Sequence, residues 1–347
     1  MKVQVENSGP AAARRRRPVL RRVGRGLAVL IVIVVVLAAA GAVYQALGAR
    51  ADARNYPPPG ELVSVGSHRL HLHCMGEGSP TVILEALAGG TSINWARVQP
   101  EVARETRVCA YDRAGRGWSD PGVPPADLWG TADNLHSLLH NAGVEGPYVM
   151  VGHSIGGVYV RAFTDRYPDE VAGLVLLDSA HPEQYIRYPE YLQQTRSYAR
   201  LSAIFPPLAR IGVFRLYFAL GGEIDFQGLP DRQHAEMAAL WSSPAYFRSQ
   251  RAEGLLSSTI YEQARALPAL GGLPLVVISA GVNPPSWAAL QADLATLSSS
   301  SEHIIIEDAT HASLTFDEAH AGEVSRIIVQ MVETLQADDT QPGAGEG

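Results

Sequence analysis

The pattern of hydrophobic positions after residue 60 predicts a single sheet of the α/β class. Short apolar runs alternate with longer amphipathic stretches, and most of the runs are continuously apolar. Continuous apolar character is typical of strands buried on both faces of a parallel sheet. The eight predicted strands cover residues 62–65, 70–74, 81–85, 108–112, 148–152, 174–178, 275–279 and 304–307. The first two flank a Gly66-Ser67 turn and are predicted to pair as a hairpin, whereas 128–142 and 158–167 have the length of crossover helices.

One connection is far longer than a crossover requires. Between the strands that end at Asp178 and begin at Leu275 lie 96 residues, whereas a parallel crossover needs only about a dozen. Thirteen of the chain's 25 aromatic residues lie within 181–261, which indicates a segment with its own packing. We therefore expect a helical cap over 181–261 that roofs an apolar pocket. The sheet core is then divided into 61–180 and 262–336, and the polar, Gly-rich tail at 337–347 is predicted to be disordered.

The N-terminal region predicts a membrane helix. Residues 27–47 contain no charged side chain, and an α-helix of that length measures about 31 Å, the apolar thickness of a bilayer. We expect a basic cytoplasmic arm at 1–26, a transmembrane anchor at 27–47 and a Pro-rich linker at 48–60. The alternative is a cleaved signal peptide, because Ala46, Gly48 and Ala49 suit a cleavage site, although apolar regions of signal peptides are usually shorter, about 7–15 residues.

The distribution of charge sets the expected orientation and excludes one class of partner. The first 26 residues carry a net charge of +7, so the remaining chain carries −14 of the total of −7. Arginines before an apolar span stay in the cytoplasm. The domain after Arg50 is therefore expected outside, on a single-pass membrane protein or, after cleavage, as a secreted protein. A domain this acidic has no electrostatic footprint for nucleic acid.

The two cysteines, Cys74 and Cys109, lie on strands that are expected to be neighbours. A bridge between them is geometrically conceivable. Because two cysteines make no disulfide framework, we expect two buried thiols.

The strongest chemical signal is the sequence Gly152-His153-Ser154-Ile155-Gly156-Gly157, between a predicted strand and a predicted helix. A serine hydroxyl is a weak nucleophile and must be lifted clear of the sheet beside a base. A strained strand-to-helix turn does this, and it needs small residues two positions before and after the serine. The pattern predicts Ser154 as a nucleophile and the amide of Ile155 as a donor to an oxyanion. The alternative is a glycine-rich turn with an ordinary serine.

Other segments accompany this motif: LEALAGG after the third strand, YDRAGRGWS at 111–119, LDSAHPE around Asp178 and EDATHASL near the end. With them, residues 61–334 resemble the α/β-hydrolase superfamily. The resemblance implies an eight-stranded, mostly parallel α/β-hydrolase sheet with a helical cap insertion, here preceded by one N-terminal transmembrane helix. It also implies that Asp112 and Arg113 are structural.

The resemblance further implies a catalytic base on the loop after the last strand. His311 lies there, and serine before histidine is the chain order of this fold. An ordinary loop histidine is the alternative, but no other histidine matches both position and order. His153 adjoins Ser154, and its side chain is expected to point away from the pocket.

The acid of the triad departs from the family's pattern. Relatives usually carry Asp or Glu after the seventh strand, where this chain has Asn283. Asparagine could orient an imidazole but would not stabilise an imidazolium comparably. Some relatives place the acid at the end of the sixth strand, which is Asp178 here, so Asp178 is predicted as the acid. The alternative is that Asp178 is an ordinary aspartate at the end of a strand and that Asn283 supports His311.

The second oxyanion donor is implied to be a backbone amide after Glu85. Most relatives have a His-Gly pair there, whereas this chain has Ala86-Leu87. The alignment is ambiguous by one residue. Ala88 is the predicted donor and Leu87 the alternative.

Cofactor and metal sites are not expected. The sequence has no HExxH, no CxxC and no Gly-rich phosphate loop with its lysine, since Lys2 is the only lysine. His68, His71 and His73 lie on the first hairpin, where surface histidines are expected rather than a metal site.

These assignments predict a membrane-anchored serine hydrolase, of the carboxylesterase or lipase kind, that cleaves an ester-like bond of a small, largely apolar substrate through an acyl-serine. Haloalkane dehalogenase and epoxide hydrolase chemistry is disfavoured, because it needs a carboxylate nucleophile. Acyl transfer, thioester or amide cleavage, haloperoxidase chemistry and carbon–carbon hydrolysis remain open on the same residues. The non-enzymatic alternative is a hydrolase-like binding protein, which Asn283 and the missing glycine favour and which Ser154 and His311 oppose.

Overall fold

The computed structural model describes residues 12–121, 123, 126–223 and 228–340, and its centre is one eight-stranded sheet. The strands are β1 Glu61–Ser64, β2 Arg69–Met75, β3 Thr81–Glu85, β4 Val108–Asp112, β5 Tyr148–His153, β6 Val171–Leu177, β7 Leu275–Ala280 and β8 Ser301–Ile306. Their order across the sheet is β1-β2-β4-β3-β5-β6-β7-β8. The β1–β2 and β2–β4 pairs are antiparallel and all the others parallel. The prediction of an eight-stranded, mostly parallel sheet that begins with a hairpin is confirmed.

Helices connect and cover these strands. They are α1 Ala12–Asn55, α2 Gln99–Val102, α3 Leu128–Asn141, α4 Ile155–Arg166, α5 Gln184–Arg187, α6 Pro189–Leu201, α7 Phe205–Arg210, α8 Val213–Ala219, α9 Asp231–Trp241, α10 Pro244–Ala264, α11 Pro285–Leu294, α12 Ser313–Phe316 and α13 Glu318–Thr340. The predicted crossovers 128–142 and 158–167 correspond to α3 and α4. The carboxyl ends of the parallel strands therefore all reach one edge of the sheet, where loops carry side chains over it.

Both faces of the sheet are buried, which explains why the strands are continuously apolar. Successive residues of a strand point to opposite faces. Ile83 and Met150 belong to the cluster that includes side chains of α3 and α4. Their neighbours Val82 and Val149 belong to the cluster that includes side chains of α2 and α13. A strand in this position has no solvent-facing side on which polar residues could alternate.

The long connection between β6 and β7 contains the helices α5 to α10, and we call this insertion the cap. Part of its packing is aromatic: the rings of Phe205 and Phe214 lie 5.4 and 4.3 Å from that of Phe247. Phe247 lies on α10, the longest cap helix, so these rings join three helices of the insertion. The aromatic enrichment thus serves mainly to pack the cap helices on one another.

Helix α1 is longer than the predicted span. It continues past Leu47 to Asn55, so the first part of the segment expected as a linker is helical. Within the described residues, the stretch Arg21–Asn55 is long and apolar enough to cross a membrane. The bent helix pair Pro189–Arg210 and Val213–Ala219 would be a second candidate membrane span only if the two helices are taken together as one. At the other end, residues 337–340 of the expected tail belong to α13, and 341–347 lie outside the described residues.

The expectation of two buried thiols is wrong, because Cys74 and Cys109 form a disulfide. The two residues are direct partners in the antiparallel β2–β4 pair, with Cα atoms 4.0 Å apart. Directly opposed residues of paired strands point to the same face of the sheet. Strand register, which the spacing of two cysteines does not encode, therefore decided this bond.

The expectation of surface histidines on the hairpin is wrong for His71, which is fully buried. Its Nδ1 donates to Asp112 Oδ2 over 2.9 Å, and its ring lies 5.1 Å from that of Trp118. Burial raises the pKa of Asp112, but the hydrogen bond from His71 and the amides of Ser92 and Trp118 outweigh it and lower that pKa. Trp118, from the loop after β4, and Asp112, at the end of β4, lie against the side chain of His71. Among the described residues no group of His, Cys, Asp and Glu is arranged to hold a metal ion.

Candidate active site

Ser154 lies on a sharp turn between β5 and α4, at the carboxyl edge of the sheet. Its backbone has φ 58° and ψ −123°, and Ser154 and Asp178 are the two non-glycine residues of the described chain with positive φ. Such conformations cost about 1–3 kcal/mol each and persist only where the surroundings hold them. Ser154 is held at both ends of its peptide unit, since its N–H donates to Leu177 O and its carbonyl accepts from Gly157 and Ala180 N–H. Backbone strain at these two residues indicates that this edge of the sheet is the candidate active site.

The glycines around Ser154 are required by close packing. A Cβ on Gly152 would lie 2.5 Å from the backbone of Gly157, and one on Gly156 would lie 2.5 Å from Glu85 O. Neither neighbour is a flexible side chain that could move aside. The turn therefore forms only because α4 starts directly against β5 and β3, which is the geometry of a nucleophile elbow.

Asp178 directly follows β6, the strand beside β5, and its carboxylate is fully buried. Its Oδ2 accepts from His311 Nδ1 at 2.5 Å. Its Oδ1 accepts from Ala280 N at 3.2 Å, Asn283 Nδ2 at 2.7 Å and Trp287 Nε1 at 3.1 Å. Four donors thus converge on one carboxylate, which fixes its position and directs its second oxygen at the imidazole.

Asn283 contacts Asp178, the predicted acid. Sequence reasoning left open whether Asp178 or Asn283 supports His311, and in the structure the Asn283 amide donates to Asp178 while Asp178 meets the imidazole. The amide at the family's usual acid position therefore orients a carboxylate supplied by β6. Trp287, from α11, is a further member of this arrangement that sequence reasoning did not identify.

His311 lies on the loop between β8 and α12, with its side chain 38% exposed. Because Asp178 Oδ2 only accepts, Nδ1 of His311 donates this hydrogen bond, and Nε2 is the ring nitrogen left for the base role predicted from the sequence. The side chain of His153 holds this loop beside the elbow. Its Nε2 donates to the backbone carbonyl of His311 over 3.0 Å, and the two imidazole rings lie 4.6 Å apart. Burial lowers the pKa of His153 well below its ordinary value, and the nearby His311 lowers it further.

The loop after β3, which carries the predicted oxyanion donor, is held by two charged side chains. Arg113 donates to Ala86 O over 2.7 Å and to Leu87 O over 2.8 Å. The Gly89 N–H donates to Glu253 Oε2 over 2.8 Å. The Gly89 amide is thereby engaged, and Ala88 lies between the anchored carbonyls and the anchored amide.

Glu253 belongs to a buried charge cluster that joins the cap to the sheet. It comes from α10 and accepts from Arg113 and Arg116 of the loop after β4, at 2.8 and 2.7 Å. Arg113 also pairs with Glu85 at the end of β3. Burial raises the pKa of Glu253, but the positive charges of Arg116 and Arg113 lower it to about 2. Burial likewise raises the pKa of Glu85, and Arg113 only partly opposes this.

Glu253→Gln should destabilise the fold markedly, because it leaves two buried guanidinium groups with one carboxylate. Breaking a buried ion pair costs about 3–5 kcal/mol, or about 10 °C in melting temperature for a domain of this size. The folded pKa lies below the ordinary value of 4.5. The carboxylate's contribution is therefore complete above pH 4.5 and is lost as the pH falls towards 2, so the difference between the two proteins should shrink over that range.

Glu236→Gln is the matched control for this prediction. Glu236 is also a buried cap glutamate, but its partner Arg232 is 63% exposed, so the change should cost less than about 1 kcal/mol. Equal melting temperatures for Glu253→Gln and Glu236→Gln at pH 7 would contradict the assignment.

A cavity of about 360 Å³ lies between the elbow, the loop after β3 and the cap. Ala88 and Ile155, the two predicted oxyanion donors, both line it, together with Glu253. The remaining cap lining is amphipathic: Gln184, Tyr185, Gln194, Thr195, Tyr198, Gln250, Gly254, Ser257 and Tyr261. The roof therefore combines phenol rings with amides and hydroxyls, where the sequence led us to expect an apolar roof. The size suits a small organic molecule.

The family model described as the alpha/beta hydrolase fold matches residues 80–317. An uncharacterized protein of Schizosaccharomyces pombe is 28% identical over 291 residues, which cover 73% of this chain and 52% of that protein. The 2-hydroxymuconate semialdehyde hydrolase of a Pseudomonas species is 32% identical over 132 residues, which cover 37% of this chain and 46% of that enzyme. The chain thus spans about half the length of these relatives.

Among solved structures, an esterase of Thermogutta terrifontis superposes with a TM-score of 0.60 at 23% identity. The superposition covers 79% of this chain and 98% of that one. At this identity the likeness concerns the fold.

Proposed function

The chain belongs to the α/β-hydrolase fold family, and on that premise we propose that it is a membrane-anchored serine hydrolase which cleaves an ester-like bond. The observation that carries this proposal is the 2.5 Å contact of His311 Nδ1 with Asp178 Oδ2, beside a serine held on a left-handed turn. A binding protein would have no need for two strained residues at one sheet edge, or for a buried carboxylate directed at a half-exposed imidazole.

In the proposed reaction Ser154 Oγ attacks the carbonyl carbon of the ester, and His311 Nε2 accepts the hydroxyl proton. The negative charge that develops on the carbonyl oxygen is stabilised by the amides of Ile155 and Ala88, which both line the cavity. Collapse of this intermediate breaks the bond to the leaving oxygen, which takes the proton from His311 and departs as an alcohol. Water, activated by His311, then hydrolyses the acyl-serine and releases the carboxylic acid.

The amphipathic cavity lining supports an amphiphilic substrate rather than a purely apolar one. Tyrosine rings offer apolar surface, whereas Gln194 offers an amide donor and acceptor and Gln250, whose oxygen accepts from the Tyr198 hydroxyl, offers an amide donor. A substrate that left these groups without partners would lose affinity, because a desolvated amide without a hydrogen bond costs about 1–3 kcal/mol. We therefore propose an ester that bears hydroxyl, amide or further ester groups near the bond to be cleaved.

One labelling experiment tests both the hydrolase and its location. A fluorophosphonate phosphonylates only an activated serine, so the purified full-length chain should be labelled, with the adduct on the peptide that contains Ser154. A membrane-impermeant fluorophosphonate should label the chain equally in lysed cells and in cells with an intact cytoplasmic membrane, because the arginines before the apolar stretch of α1 stay inside. Labelling in lysate alone would overturn the location, and no labelling of purified chain would overturn the hydrolase and favour the binding protein.

A further inference from the structure

Large apolar side chains are exposed on three parts of the cap, namely α6, the turn after it and α8. We call these parts together the cap apolar surface; its members are Leu201, Ile204, Val213, Leu216, Tyr217 and Leu220. Leu220 is 79% exposed and Leu201 61%. Single exposed apolar residues are common on proteins, but a group of this size on consecutive elements marks a surface that meets an apolar partner.

Helix α8 turns its apolar side away from the rest of the protein. Val213, Leu216, Tyr217 and Leu220 follow one another at steps of three, one and three residues and share one helix face. Phe214 points inward, where its ring packs on Phe247. Arg215 points towards α1, where it donates to Gln45 over 2.9 Å and pairs with Asp52 at 2.5 Å. The members of the outward face are 40–79% exposed, and among the described residues Tyr217 also contacts Gly222 and donates to Glu223 O over 3.0 Å.

The cap is attached to α1 along one stripe of that helix. Gly41, Gln45, Gly48 and Asp52 are spaced four, three and four residues apart, which places them on the same face. Gly41 lies against the carbonyl of Ile211, and Gly48 lies under the Arg215 guanidinium. Gln45 is buried, and its amide donates to Ser242 O over 3.0 Å. Glycine at close contacts and a buried amide are typical of specific helix packing in membranes.

This attachment fixes the depth of the cap relative to the apolar stretch of α1. Gly41 precedes the end of that stretch at Leu47 by six residues, which corresponds to about 9 Å of helix. Ile211, its contact in the turn between α7 and α8, therefore lies at a level that the apolar part of α1 still occupies. If α1 spans a bilayer, this turn lies below the surface of that bilayer, and the adjoining cap apolar surface lies at its boundary.

We propose that the cap apolar surface is immersed in the outer leaflet of the bilayer that α1 spans. This rests on the membrane anchor of the proposed function. The ion pair of Arg215 with Asp52 then lies near the headgroups, above the apolar contact of Gly41 with Ile211. The exposed face of α8 dips into the leaflet beside the span, as an interfacial amphipathic helix does.

The same geometry indicates where the substrate comes from. Tyr198 of α6 lines the cavity and is 45% exposed. Leu201, one turn further along α6, belongs to the cap apolar surface. The cavity lining thus lies one helical turn from the cap apolar surface, and an entrance there would admit an amphiphilic ester from the outer leaflet.

Depth-dependent fluorescence quenching tests the proposal on the full-length chain. Both native cysteines are in the disulfide, so one introduced cysteine carries the only reactive thiol. An environment-sensitive fluorophore is attached in turn to Leu220→Cys, Leu216→Cys, Leu30→Cys in the span and Ile305→Cys, a 50% exposed apolar residue of β8. The labelled chains are reconstituted into phosphatidylcholine vesicles with and without lipid that carries a nitroxide near its ester carbonyl.

We expect strong quenching at Leu220, Leu216 and Leu30 and none at Ile305. Quenching at Leu30 without quenching at Leu220 and Leu216 would overturn the proposal and leave the anchor standing. Quenching at none of the positions would overturn both, whereas fluorophosphonate labelling of Ser154 reports the hydrolase separately. Contact between Leu220 labels of two chains, without lipid quenching, would make this surface an interface between copies and would also overturn the proposal.

A pair of glycine variants tests the attachment itself. Gly41→Leu inserts a side chain against the Ile211 carbonyl, whereas Gly26→Leu, on the same helix, meets open space. In the Leu220→Cys background, Gly41→Leu should abolish most of the quenching and Gly26→Leu should leave it unchanged. Unchanged quenching in both variants would show that the α1 stripe does not set the position of the cap.

Discussion

Ser154→Ala is expected to lower kcat for a p-nitrophenyl ester by about 10⁶-fold, to the level that binding and oxyanion stabilisation alone provide. The substitution removes the attacking oxygen and leaves the left-handed turn in place, because alanine is smaller than serine at the same backbone angles. The melting temperature should stay close to that of the unaltered chain. The measurement is the initial rate of nitrophenol release, with a melting curve recorded on the same sample.

Ser325→Ala is the matched control. Ser325 is buried, and its hydroxyl donates to Ala321 O inside α13, on the other side of the sheet from the cap. It should cost at most about 1 kcal/mol of stability and leave kcat unchanged. Full activity of purified Ser154→Ala would contradict the nucleophile assignment, and an equal loss in both variants would point to general damage to the fold.

Asp178→Asn is expected to lower kcat by about 10⁴-fold, the loss seen when a triad acid becomes an amide. Four donors converge on the Asp178 carboxylate. A carboxamide in the same place must turn its NH₂ group towards a donor in either orientation. If the NH₂ group faces His311, the imidazole loses its fixed tautomer. If it faces Asn283 and Trp287, the side chain at position 178 loses the hydrogen bonds that these two residues donate. A loss of about 1–3 kcal/mol in stability should accompany the loss of rate.

Variants of Asn283 separate the two possible supports of His311. Asn283→Ala removes one of four donors to Asp178 and should lower kcat by about 10- to 100-fold, since a hydrogen bond to a charged group contributes about 1.5–3 kcal/mol. Asn283→Asp alone places a second carboxylate 2.7 Å from the first and should reduce activity through repulsion. Combined with Asp178→Asn, it exchanges carboxylate and amide and should restore part of the rate. A mild Asp178→Asn together with an inactive Asn283→Ala would contradict the proposed triad.

The fold was largely predictable from the sequence, because burial on both faces of a parallel sheet leaves continuous apolar runs. The eight predicted strands all occur, with ends that differ by a few residues. The sixth strand, for example, begins at Val171, whereas the hydrophobic pattern predicts a start at Leu174. Strand ends are decided by hydrogen bonds to neighbours, as in the pairing of Tyr148 with Val171. Such partners are not encoded in hydrophobicity.

The candidate site was predictable where its chemistry constrains the local backbone. The sequence alone proposed Ser154, because an elbow needs glycine at 152 and 156 and a helix directly after it. It also proposed His311 and Asp178 through the resemblance. Asn283, Trp287 and Glu253 could not be assigned roles in this way, since each acts through a contact with residues more than a hundred positions away.

The sequence by itself determined that this chain has one charge-free helix of membrane length, an α/β sheet and a serine elbow, because each follows from short-range periodicity or local sterics. Only the tertiary structure decided the disulfide between Cys74 and Cys109, the burial of His71, and the use of Asn283 as a donor to Asp178. It alone also placed the cap against the α1 stripe that begins at Gly41. These features depend on which strands and helices become neighbours in space. The pattern of residues along the chain does not encode contacts between positions that are far apart in the sequence.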